Sequence, residues 1–169
     1  MGRFHTRSDF SRSQDAASCF MVLGGGFYFS LASGIKVNDR TIAANLVTGN
    51  GGGTYFTGIA ATAPQINNSI IFGNKAGVTI NNIFVVGGAT SPTVSYTDVE
   101  GGFAGTNNIS TDPLFTSPST AAAAPTIAGD YSLQICSPAI NEGNNTLIPG
   151  GVTDDVLGNP RIALGNVDM

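Results

Sequence analysis

The chain answers itself at a nearly constant interval. Gly24, Gly25 and Gly26 open "GGGFYFS", and Gly51, Gly52 and Gly53 open "GGGTYFTG" 27 positions later. "TIAAN" (41–45) answers "IIFGN" (70–74), which sets Asn45 against Asn74 at a step of 29. "APQINNSII" (63–71) answers "SPTVSYTDV" (91–99), with Pro64 and Pro92 a step of 28 apart. A step under thirty residues restricts the chain to stacked units, each burying its apolar face only against its neighbours.

The unit is built for strands. "FYF", "IKV", "YFT", "QINNSII", "INNIFVV" and "TVSYTDV" are short, rich in Ile, Val, Phe and Tyr, and separated by Gly, Asn or Pro. No stretch carries capped 3.6-residue patterning long enough for a helix pair. The pattern predicts an all-β chain wound as a parallel β-helix (solenoid). In such a coil glycine permits positive φ and close backbone approach at corners. Stacked amides at equivalent positions hydrogen-bond along the axis, and Asn45 and Asn74 are the candidates for such a ladder. Ile66, Ile70, Val94 and Val99 are expected to fill the interior.

Composition narrows the function. Only 11% of residues are charged and the mean hydropathy is +0.15, which is unlike a disordered chain. The net charge is −4, and beyond residue 15 the only basic residues are Lys36, Arg40, Lys75 and Arg161. Such a surface cannot neutralise a run of phosphates, so no nucleic-acid partner is expected. Cys19 and Cys136 are far apart and read as isolated small hydrophobes rather than a disulfide. The uncharged stretch 16–35 follows three arginines and imitates a signal peptide. Its glycine triplet breaks the apolar run after five residues, so the strand reading is preferred and no transmembrane span is expected.

Catalytic equipment is not apparent. A lyase acting on uronates needs a carboxylate cluster for Ca²⁺ and a Lys or Arg base. Residues 46–97 hold no carboxylate and one basic residue, Lys75. A glycoside hydrolase needs carboxylates across the sugar bond, and Asp154–Asp155 stands without a second pair. His5, the one histidine, lies outside the repeats. Neither glycine triplet continues into a phosphate-binding motif, so no nucleotide and no cofactor are expected.

The paired "GGG-x-[YF]" corners and "NSIIFGN" (68–74) resemble the right-handed β-helix repeats of bacterial secreted and surface proteins. Those share the pectate-lyase-like fold and the repeat style of polymorphic outer-membrane proteins. "VSYTDVEGG" (94–102), "STDPLF" (110–115), "GDYSLQICSPAINEGNN" (129–145) and "GNPRIALGNVDM" (158–169) resemble, in that order, the choice-of-anchor Q region that ends such β-helices. The resemblance implies a right-handed parallel β-helix of about three coils over 21–100, an irregular C-terminal cap or anchor-like region over 101–169, and an unmatched leader over 1–20. It also implies that the chain is the C-terminal part of a longer protein. Arg161, amid Asp154, Asp155 and Asp168, is expected to make an ion pair that holds the cap together.

The expected role is a non-catalytic extracellular or cell-surface segment: a stalk, adhesin or passenger module. The alternative is a carbohydrate-binding or polysaccharide-degrading protein whose active site lies on upstream coils. The implied partners are a polysaccharide or another surface protein. With Phe27 and Phe29 inward, Tyr28 faces out and Tyr55 stands one coil away on the same face. Exposed stacked aromatics suit sugar rings, which makes Tyr28 and Tyr55 candidate binding residues, although packing under a loop is the preferred reading.

Overall fold

The computed structural model describes residues 24–126 and 128–169. The expectations placed on the leader, His5 and Cys19 lie outside the described residues. The described chain is almost entirely β and irregular structure, with two three-residue 3-10 turns, Ala121–Ala123 and Asn145–Leu147, and no α-helix.

Parallel pairing dominates. β1 (Phe27–Ser30), β5 (Thr54–Thr57) and β9 (Ile83–Val85) form one sheet, with Tyr28 opposite Tyr55 and Tyr55 opposite Phe84. β2 (Lys36–Asn38) and β3 (Thr41–Ala43) both pair with β6 (Gln65–Phe72), which pairs with β10 (Thr93–Val99) and through it with β11 (Gly105–Thr106). β4 (Leu46–Val47) pairs with β7 (Lys75–Ala76). Two pairs run antiparallel: β7 with β8 (Thr79–Ile80), and β12 (Phe115–Ser117) with β13 (Asp130–Leu133). The parallel partners Phe27 and Thr54, Lys36 and Gln65, and Gln65 and Thr93 stand 27, 29 and 28 residues apart.

Left-handed residues recur at the same steps. Asp39, Asn68 and Tyr96 have φ of 57°, 46° and 50°, and Ala44, Gly73 and Gly101 have 56°, 69° and 85°. Asn and Asp tolerate this region, whereas Ala and Tyr do so at a cost. The first file separates β2 from β3 and bends β6 and β10. A bend inside a strand shifts the alternation of its side chains. Ile66 and Ile71 therefore join the core between the two large sheets, with Val37, Ile42, Phe56, Val94 and Val99. Ile70, expected inside, instead packs outward with Ala43 and Ala44 against Phe115, Tyr131, Ala139 and Met169 of the tail. Full burial of each Ile contributes about 1.5–3 kcal/mol.

The glycine triplets divide their work. Gly24 and Gly51 turn the chain with φ of 65° and 74°. A Cβ on Gly53 would collide with the carbonyl oxygen of Asn82, and one on Gly52 would sit 2.7 Å from the Lys75 backbone nitrogen. Gly25 and Gly26 meet the Gly52 and Gly53 carbonyls in the same way. The later glycines of each triplet thus admit the next strand rather than a turn.

The tail has two parts. Residues 103–111 lie on β10: Phe103 packs on the main core, and Val99 N donates to Ile109 O at 2.9 Å. The segment beyond runs along the side of the sheet, reaching Asn38, Asp39 and Asn68. Cys136 is a free thiol, as expected of an isolated cysteine, and it is exposed.

Candidate functional site

Three files of side chains cross the parallel strands, because in-register pairing places like residues side by side. The first is buried. Asn45 Nδ2 donates to Asn74 Oδ1 at 2.8 Å, and Asn74 Nδ2 donates to Asn82 Oδ1 at 2.8 Å and to Ile42 O at 2.7 Å. Asn82 Nδ2 then donates to the Glu100 carbonyl at 2.9 Å. Asn82 was not anticipated, since it stands eight residues after Asn74 rather than one full step. At the other end, Asn45 Oδ1 is buried and has no partner among the described residues.

In the second file Asn67 Nδ2 donates to Asn38 Oδ1 at 2.9 Å, and Ser95 Oγ donates to Asn67 Oδ1 at 2.6 Å. Beside it Asn68, fully buried, fastens the tail. Its Oδ1 accepts from Asn144 N at 2.8 Å and its Nδ2 donates to Asn144 O at 3.1 Å.

The third file is aromatic and contains both predicted candidates. Tyr28 and Tyr55 stack with ring centroids 5.2 Å apart and planes 7° apart, and Tyr55 and Phe84 stack at 5.4 Å and 22°. Tyr28 is 49% exposed, while Phe27 and Phe29 lean on the core. Tyr55 thus carries a stacked ring on each side, one from β1 and one from β9. Among the described residues no ring covers the second face of Tyr28. Each stacked pair adds about 0.5–1.5 kcal/mol beyond its area.

Arg161 does not pair with Asp154, Asp155 or Asp168. Its Nη2 lies 3.1 Å from Asp39 Oδ1, so the ion pair joins the tail to the bend between β2 and β3 instead of closing the tail on itself. The side chains are 19% and 9% exposed, which places the pair in a partly desolvated setting. Burial pushes the Asp155 carboxyl up, but hydrogen bonds from Asn159 and Leu157 outweigh it and hold the group below the ordinary range.

One further carboxylate is buried. Asp98 in β10 has no exposed surface; its Oδ1 accepts from Thr111 N at 3.2 Å and its Oδ2 has no partner among the described residues. Burial raises its pKa to about 6, with Asp112 and Glu100 adding like charge against the Thr111 hydrogen bond. Among the described residues no three His, Cys, Asp or Glu side chains are placed to hold a metal ion, and no helix is long and apolar enough to cross a membrane. No family model, curated protein or solved structure matches the chain.

Proposed function

We propose that the chain is a segment of a right-handed parallel β-helix that serves as a non-catalytic stalk, adhesin or passenger-type module of an extracellular or cell-surface protein. The observation that supports this reading is the in-register stacking at steps of 27 to 29 residues, which turns Asn, Ser and aromatic side chains toward one another. Much of their hydrogen-bonding and stacking capacity is spent along the axis, as in a scaffold. The ring of Tyr55, stacked between those of Tyr28 and Phe84, favours packing over sugar recognition.

Affinity gel electrophoresis through pectin, alginate, xylan and glucan tests the choice. Unretarded migration of folded protein in every gel is the expected result. Retardation lost in a Tyr28→Ala, Tyr55→Ala double variant would replace the stalk with a carbohydrate-binding surface centred on these tyrosines. Surface-protease treatment of producing cells tests location, with loss of the protein from intact cells expected.

A further inference from the structure

Two surfaces of the chain complement one another. The first is the hairpin of β7 and β8. Lys75 lies opposite Ile80 and Ala76 opposite Thr79, which leaves Gly77 and Val78 as a two-residue turn. Gly77 makes that turn with a φ of 59°. Residues opposite one another in an antiparallel pair share a face, so Lys75 and Ile80 stand side by side with Val78 at the tip. Val78 is 93% exposed and Ile80 47%. Lys75 is also exposed and has no ion-pair partner among the described residues.

The second surface is a cleft of about 330 Å³ between the bend at Asp39 and the tail. Val156, Leu157 and Leu164 line it, and each has more than half of its surface in water. The charge that the cleft shows to solvent is negative. Arg161 is bound to Asp39 and Arg40 is buried. Asp154 Oδ2 accepts from the Thr153 hydroxyl at 3.1 Å and Asp168 Oδ1 from Asn141 N at 2.8 Å. The other oxygen of each carboxylate accepts no hydrogen bond among the described residues and is not sealed from solvent.

Each surface thus joins exposed aliphatic groups to one sign of charge, and the signs are opposite. A purely charged ligand would leave the leucines in water, and a purely apolar one would desolvate carboxylates without pairing them. The hairpin carries an ammonium beside two β-branched side chains and does neither. We propose that the β7–β8 hairpin of one copy docks in the tail cleft of a second copy, with Lys75 against Asp154 and Asp168 and with Val78 and Ile80 on the leucines. Because the two surfaces differ, a copy engaged through its hairpin still offers its cleft, and association runs head-to-tail. A contact made by one short hairpin belongs to the small class of interfaces, under about 1,200 Å² in total, so it is weak and depends on concentration. The proposal goes beyond the stalk reading and does not depend on it.

Sedimentation velocity on the full chain over a wide range of concentration tests it, with reductant present to keep the exposed Cys136 from cross-linking copies. A sedimentation coefficient that rises with concentration is expected. Lys75→Glu and Asp154→Lys should each weaken association roughly ten-fold or more, since like charges then face one another. Leu164→Ser should weaken it as well. An equimolar mixture of the Lys75→Glu and Asp154→Lys proteins should regain association, because each keeps the surface that the other has lost. None of the three positions lies in the core, and circular dichroism establishes that each variant is folded. Three results would overturn the proposal: a monomer at every concentration, association indifferent to all three substitutions, or a mixture that associates no better than its components.

Discussion

Replacing Asp98 by Asn should stabilise the protein at neutral pH, and by an amount that pH itself controls. Asp98 is fully buried with one oxygen unpartnered, and desolvation raises its pKa from 3.8 to about 6. Between those values the folded chain holds a proton that the unfolded chain has released. Folding therefore loses free energy as pH rises through the window, and the full penalty is present above about pH 6. A rise of this size corresponds to about 3 kcal/mol at roughly 1.4 kcal/mol per pH unit. Asn keeps the acceptor for Thr111 N and leaves one polar atom unpartnered, as the protonated acid does, so the two neutral forms should match. Urea unfolding followed by far-ultraviolet circular dichroism would be run on both proteins at pH 4 and pH 8. The expected result is a variant more stable by about 2–3 kcal/mol at pH 8, with a gap that closes toward pH 4 and equal m-values. Equal stability at pH 8, or a gap that survives at pH 4, would refute the reasoning, because neither fits a buried ionised carboxylate.

Other perturbations address the files and the tail. Asn74→Ala removes the acceptor of both the Asn45 backbone N–H and the Asn45 amide and a donor to the Ile42 carbonyl, while Asn82 Oδ1 keeps the Asn74 backbone N–H. It should cost about 2–4 kcal/mol in urea unfolding. Gly53→Ala drives a methyl group into the Asn82 carbonyl and should lower the melting midpoint sharply, whereas Gly87→Ala, with open space around it, should change stability by less than about 0.5 kcal/mol. A double-mutant cycle on Arg161→Gln and Asp39→Asn should return a coupling of about 1 kcal/mol. Coupling to Asp154→Asn in place of Asp39 should be near zero.

What can be read from the residues and what cannot divide along a physical line. Parallel in-register strands place each residue beside the one a full step away, so the steps between Gly24 and Gly51 and between Asn45 and Asn74 appear in the letters themselves. Strand alternation likewise makes Tyr28 and Tyr55 neighbours on one face before any coordinates exist. That legibility stops where the period does. Asn82 enters the amide file by a turn eight residues long, and Ile70 leaves the main core because Asn68 adopts a left-handed conformation inside a strand. The tail is further removed. Nothing in the letters marks Arg161 as the partner of Asp39 rather than of the aspartates beside it, or Asn144 as the partner of Asn68. The sequence by itself determined the all-β character and the spacing of the files, because local conformation and repetition are written in neighbouring residues. Only the tertiary structure decided where the tail lies, which carboxylate is buried and where a cleft opens, because those depend on groups that meet in space without any regular distance along the chain.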